Sequence, residues 1–494
     1  MKLRVVGLAV ILSGMSLFSH GQIKLTIEQA LDIAEENNPQ MKTAKLNFER
    51  TQLMLEAQRA ALKPQFSMTL DPFSYSQSRS FDNRFSEWYT NKSMSSGGVF
   101  RSELPILWTD GSLSLINRFN WQNSESMNQN GTNYNKAFTN TLSLQYDQPI
   151  FTYNRLKMTI KNLEFDHENS KISYALQRLR TEQNITGQFY RVYMAQNNLD
   201  ISKAEYENVK KNYDIIKDKV EAEMSAREEL LQAEINLANS ESSVETRDVT
   251  LKNAKDALKQ TLGMSLNEDI EVLADIKVVP ILVNPEKAIQ CGLSSRMELR
   301  QREISIEQAD MAMISEKARN EFKGDIRLSL GIAGDNEQLG QIYTNPTQSP
   351  RVSISFNVPI FDWGQKKARI QAQKTAQTVA QLNYENEKIS IELDVRQTIR
   401  SLENLRSQIS IQEKTVRNSQ NTYELNEIRY REGDLTGMQM SLFQTQLSNA
   451  QSSLVSAKIN YMTELLNLKI ITLYDYEKDK PIVPMQELSF MTTR

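Results

Sequence analysis

Two ten-residue segments of this chain match without a gap, and each runs into a Pro-free stretch of about seventy residues. The first is Leu142-Ser-Leu-Gln-Tyr-Asp-Gln-Pro-Ile-Phe151; the second is Val352-Ser-Ile-Ser-Phe-Asn-Val-Pro-Ile-Phe361. They lie 210 residues apart, and the same offset carries Leu237 onto Leu447. Upstream, Pro39 to Leu70 resembles Met297 to Leu330 at a larger offset, because the first half holds a longer insert. One constant offset across about a hundred residues marks a duplication. Whatever one half folds into, the other repeats.

The order of patterns within a half is set by a few local signals. Thr26 and Gln29 have capping-box spacing at the start of Leu25 to Leu31. Asn37-Asn38-Pro39 breaks that helix, since proline disfavours the α region for the residue before it. A second helix is expected from about Gln40 to Leu62, ending before Pro64. Alternation then takes over: Phe66, Met68 and Leu70 on one side, Gln65, Ser67 and Thr69 on the other. Leu142, Leu144 and Tyr146 oppose Ser143, Gln145 and Asp147. In the second half Ile326, Leu328 and Leu330 oppose Arg327 and Ser329, and Val352, Ile354 and Phe356 oppose Ser353 and Ser355.

The two long stretches, Tyr153 to Glu221 and Trp363 to Glu432, are rich in Glu, Gln, Lys, Ala and Leu. In the second, Ile391, Val395, Ile399, Leu402, Leu405 and Ile409 recur at steps of three and four, a stripe as narrow as a coiled-coil seam. Each predicts a rod of about 100 Å. Return helices are expected over about Arg227 to Leu262 and Gly437 to Leu473. The expected organisation is a signal segment at 1–21, a first repeat at 22–263 with its long insert at about 74–140, a linker at 264–285, a second repeat at 286–476 and a tail at 477–494.

Composition narrows the classes. With 58 Lys and Arg against 61 Asp and Glu, net charge −3 gives no footprint for nucleic acid. Mean hydropathy is −0.52, and no stretch after the first twenty or so residues supplies the eighteen apolar residues of a membrane helix. Lys2 and Arg4, the apolar run Val5 to Phe18, and Ser19 and Gly21 before Gln22 form an export signal pattern, with no cysteine behind it for a lipid anchor. Any membrane role for the remainder falls to strands or to association, not to hydrophobic helices.

Strands of about ten residues, apolar on one face and polar on the other, suit a membrane β-barrel; a half-buried soluble sheet alternates in the same way. Phe151 and Tyr153, and Phe361 and Trp363, favour the barrel, because they set aromatics where strand meets helix, as an interfacial girdle requires. A handful of strands cannot close, and open edges do not exist in lipid, so the barrel must be shared between subunits. A coiled-coil scaffold without a pore would have no use for such strands.

Strand-Pro-Ile-Phe-helix, repeated and preceded by Leu-Thr-x-x-x-Ala-Leu and Asn-Asn-Pro, resembles the TolC family of outer-membrane efflux proteins over about Ile23 to Tyr476. The resemblance implies a mainly α fold with membrane strands: long helical hairpins and a β-barrel shared in a homotrimer, internally duplicated. It further implies a channel in the outer membrane reaching into the periplasm, docked on a periplasmic adaptor protein and an inner-membrane pump. It implies no cofactor. Tyr430 to Gly437 resembles the family's helical tip, with Gly433 as the turn residue; the matching stretch in the first half, Glu221 to Ala226, lacks that glycine. Met224, Ser225, Gly433, Leu435 and Thr436 are therefore the candidate adaptor contacts, although a plain helical hairpin accounts for the same residues. Where the family places a carboxylate ring past the second tip, this chain has Gln439 and Leu442, and Glu228 and Glu229 become the candidates for the pore entrance beside Gln439.

Within the insert, Ser102 to Gly111 echoes the Pro-Ile-Phe boundaries, and Val99 to Leu107 and Ser112 to Phe119 partly alternate. Two readings stand: an extra hairpin turning at Trp108 near the periplasmic interface, or a long surface loop. No catalytic or metal-binding constellation is present in the sequence. Asp166-His167-Glu168 lies on a rod helix, where neighbours in sequence cannot converge on a metal.

Overall fold

The computed structural model describes residues 23–482 except 84–85, 129–130, 275, 277, 320 and 433. The expected signal segment, Gly433 and the end of the tail lie outside the described residues. Strand β1 (Ile23–Leu25) leads into helices α1 (Ile27–Asn37) and α2 (Pro39–Ala61). Four strands follow: β2 (Gln65–Asp82), β3 (Glu87–Ile106), β4 (Gly111–Asn128) and β5 (Gly131–Ile150). The first helical hairpin is α3 (Arg155–Glu221) and α4 (Arg227–Leu262), followed by β6 (Ile270–Val272). The second half repeats the order with α5 (Pro285–Ser295), α6 (Met297–Arg319), β7 (Lys323–Asn336), β8 (Thr347–Gln348), β9 (Arg351–Asn357), α7 (Gln365–Glu432) and α8 (Gly437–Thr472). Among the described residues no helix is long and apolar enough to cross a membrane.

The chain divides into two compact units, one of residues 1–45, 174–296 and 390–494, the other of residues 46–173 and 297–389. The first is helical apart from two small pairings, β1 with β6 in parallel and Tyr474–Asp475 with Lys480–Pro481 in antiparallel. The Thr26–Gln29 capping box forms at the head of α1. Asn38 ends that helix and begins the next: its amide donates to the Thr261 carbonyl at 2.6 Å, and its oxygen accepts the Met41 N–H at 2.9 Å. The duplication is written into the core. Ile185, Phe189, Val192 and Leu258 are buried in one apolar cluster, and their counterparts 210 residues on, Val395, Ile399, Leu402 and Leu468, are buried in another. Helix α4 ends on Gly263 at φ 73, where a Cβ would stand 2.4 Å from the Asn37 carbonyl oxygen. Only glycine fits there.

The second unit holds the sheet. Its order is β2-β3-β4-β5-β7, with β8 and β9 both on the far edge of β7, and every pairing is antiparallel. The insert is therefore strand rather than loop over most of its length, and the hairpin reading holds: β3 and β4 are joined by a turn at residues 107–110. Among the described residues the second half has no equivalent of this hairpin. Its first half-strand is followed by a short 3-10 turn, Leu339–Gln341, and then by β8 and β9.

Candidate functional site

The registers show which side chains share a face. Met68 pairs with Phe100, Leu115 with Leu144, Leu144 with Leu330, and Leu328 with Val352. Following the registers across the sheet gives one mainly apolar face through all the long strands, with Ser102, Asn117 and Asn140 as polar members. The opposite face carries Ser67, Arg101, Ser114, Gln145, Arg327 and Ser353, with Arg327 Nε 2.6 Å from Asp147 Oδ1. Met68, Leu70, Leu330, Val352 and Ile354 are exposed within the single chain. An apolar face of this extent in water would be an aggregation site; in hydrocarbon it is the stable orientation.

Aromatic side chains gather where this sheet meets its helices. Trp108 and Trp363 are each 90% exposed, and Phe151 and Phe361 are exposed as well. Phe322, just before β7, packs on both Phe151 and Phe356 at 5.3 Å between ring centres. Of the four aromatics singled out in the sequence, Phe151, Phe361 and Trp363 present open ring surface. Tyr153 is half-buried, with its hydroxyl 3.1 Å from that of Ser315. Phe322 and Trp108 complete the set; Phe322 was missed because it belongs to a helix exit with no Pro-Ile-Phe to mark it.

The β3–β4 turn is fastened to the start of α3. Asp110, its side chain 4% exposed, receives Arg155 Nε at 2.8 Å, and it accepts the Leu156 N–H at 2.9 Å. Asn154 donates to the Leu107 carbonyl at 2.6 Å and accepts the Lys157 N–H at 2.7 Å. Two side chains thus cap one helix and hold one turn. Asp110→Ala is expected to cost about 1–3 kcal/mol through the lost cap and charged hydrogen bond. It should lower the temperature at which the folded, unheated species disappears on a denaturing gel. An unshifted transition would mean the turn is held by Asn154 alone.

Strands β2 to β5 continue well past the apolar rows, and there the two faces differ in another way. A bulge between Asp71 and Ser74 switches the parity of β2. Beyond it, one face carries Ser76, Ser93, Gln122 and Asn135 in paired rows, a surface of hydroxyls and amides. The other, continuous with the apolar face, carries Trp121 opposite Phe138, then Lys92, Glu125 and Lys136, then Arg79.

The helical tips lie in the first unit. Met224 N–H donates to the Lys219 carbonyl at 2.7 Å, and Asp434 N–H donates to the Arg429 carbonyl at 2.9 Å, the same i to i−5 bond at the same 210-residue offset. This closing bond belongs to a Schellman turn, whose preceding residue takes a left-handed conformation. In the first tip that residue is Glu223, at φ 58. The first tip makes the turn without a glycine. Met224 is 77% exposed, while Ser225 and Leu435 are half-buried. Thr436 forms a capping box with Gln439, the two bonds measuring 3.1 and 3.3 Å. That cap engages the side chain of Gln439, whereas Glu228 and Glu229 border an open groove. The groove, about 450 Å³, is walled by Val209, Tyr213, Ile216, Ala233, Thr436 and Met438.

The Asp166-His167-Glu168 run disperses. Asp166 accepts from Gln308 at 3.2 Å and Glu168 from Arg300 at 2.8 Å. His167 stacks on Phe48 at 5.1 Å. Its burial, with Lys171 and Arg59 nearby, holds its pKa below the usual histidine value.

A family model described as outer membrane efflux protein matches residues 288–472. The probable outer membrane lipoprotein SilC of Salmonella typhimurium is 22% identical over 315 residues, 62% of this chain and 66% of that protein, so the chain spans just under two thirds of its length. The Campylobacter jejuni CmeC outer membrane channel superposes with TM-score 0.72 at 16% identity, covering 94% of this chain and 89% of that one. The open-state MtrE outer membrane channel of Neisseria gonorrhoeae gives 0.65 at 16% identity, covering 90% and 88%. The Vibrio cholerae outer membrane protein VceC gives 0.66 at 13% identity, covering 92% and 97%. The matched segment holds the second tip and the second apolar cluster, and the fold likeness extends over both units. Over residues 288–472 the chain is similar to the outer membrane efflux protein family, and its fold is that of these outer membrane channels.

Proposed function

We propose that three copies of this chain close one barrel and act as the exit duct of a tripartite efflux system, passing small molecules or proteins out of the cell. The observation that carries this is the sheet, with one mainly apolar face and, among the described residues, two unpaired edges, the outer side of β2 and the outer side of β8 and β9. Lipid satisfies the face and a neighbouring copy satisfies the edges. Three copies of a sheet six strands wide give eighteen strands, a size at which barrels keep an aqueous lumen. The polar face then lines the lumen.

Closure is testable at the edges. In a Cys291→Ser background, Ser67→Cys on β2 and Ser353→Cys on β9 should be joined between chains by a short bis-maleimide, in a ladder that stops at three. A ladder that stops at two, or no ladder, contradicts the arrangement.

On the same reading, Met224, Ser225, Gly433, Leu435 and Thr436 contact the periplasmic adaptor, with the inner-membrane pump beyond it. Glu228 and Glu229 flank the pore entrance near Gln439. Exposed Met224 and half-buried Leu435 supply apolar contact at equivalent ends of the two hairpins. Met224→Asp with Leu435→Asp should reduce adaptor capture at least tenfold and leave conductance unchanged, since buried apolar anchors dominate such interfaces. Adaptor capture at the unmodified level would remove these residues from the interface.

A further inference from the structure

The outward face of the strand extensions sorts its charges by sign. On β4, ten residues separate Gly111 from Trp121; at about 3.4 Å per residue and about 40° of tilt that is about 26 Å, the height of an apolar band. Trp121 opposite Phe138 therefore marks the outer membrane interface. Two, four and six residues beyond this level, on the lipid-facing side, stand Lys136, Lys92 and Arg79, with Glu125 the one acid among them in the described rows. Lys92 approaches Glu125 at 3.5 Å. Lys136 lies over Phe138 at 5.9 Å and Arg79 over Trp88 at 4.8 Å. The lumen side of the same rows is hydroxyl and amide. A face that merely met water would have no reason to gather bases on the lipid side alone.

We propose that Arg79, Lys92 and Lys136 bind the phosphate groups of the phosphorylated glycolipid in the outer leaflet of the outer membrane. Three cations at headgroup height are complementary to a bisphosphorylated headgroup, and flat aromatic rings beside them suit its sugars. This rests on the membrane reading of the sheet.

The test uses the full-length oligomer purified from outer membranes. It is titrated with bisphosphorylated lipid A, with dephosphorylated lipid A and with phosphatidylglycerol, and bound lipid is counted by native mass spectrometry. The bisphosphorylated form should bind at least tenfold more tightly than either of the others, and R79Q/K92Q/K136Q should lose that preference. Glu125→Gln, which removes the acid, should strengthen binding several-fold, and it carries the test if the triple variant fails to assemble. Equal binding of phosphorylated and dephosphorylated lipid, equal binding of phosphatidylglycerol, or an unchanged Glu125→Gln would overturn the site. Conductance of the same particles separates the two claims. Conducting particles without the preference overturn this inference alone, and non-conducting particles overturn the channel reading.

Discussion

Leu144→Arg is expected to abolish assembly in the outer membrane, while Ser143→Arg, one residue away, is expected to assemble normally. Leu144 stands mid-strand on β5, in a row with Leu115 and Leu330. An arginine at the middle of a lipid-facing row costs about 2–4 kcal/mol per site, and the proposed trimer would incur that cost three times. Ser143 faces the other way, in a row with Ile116 and Gly331, where an arginine meets water in the lumen. Its effect should be confined to the ion selectivity of the pore. The pair is read by the yield of heat-modifiable oligomer in outer-membrane fractions. Equal loss of oligomer from both variants would mean the sheet is buried on both faces and no lumen exists.

Excising Glu87 to Asn128 is expected to give a narrower barrel rather than no barrel. Gln65, Glu103, Ser114 and Gln145 fall in one row through successive pairings, all on the polar face. Removing β3 and β4 thus brings β2 beside β5 with direction and faces preserved. Three shortened chains give twelve strands. With strands about 4.8 Å apart and tilted about 40°, the diameter falls from about 36 Å to about 24 Å, and the cross-section to less than half. End-on averages in electron microscopy measure this directly. An unchanged diameter would mean that the hairpin lies outside the barrel wall.

The sequence made some of this legible and hid the rest for identifiable reasons. Helices and their caps are local, so the Thr26–Gln29 box, the break at Asn38 and the return helix from Gly437 all appear where residue spacing puts them. The membrane rows of β2, β5, β7 and β9 were legible because alternation there is apolar against polar. In the extensions both faces are polar, base and aromatic against hydroxyl and amide, so alternation carried no contrast and the segment read more readily as a surface loop. The bulge at Asp71–Ser74 added to this by moving Tyr75 and Gln77 onto the face that Phe66 and Met68 had occupied. The first tip was harder still. Its left-handed residue is Glu223, and nothing in a glutamate announces a turn. Capping by Gln439 was also invisible while that position was considered only as the place where relatives carry a carboxylate.

This chain is expected to form an aqueous pore only as part of a closed set of copies. The most direct measurement is single-channel conductance of the detergent-purified protein in a planar bilayer, with the mass of the same particles determined in parallel. Discrete conductance steps from a particle of three chains is the predicted result. A monodisperse single chain that never conducts would contradict it, because the apolar face of the sheet would then have to be covered within the chain itself.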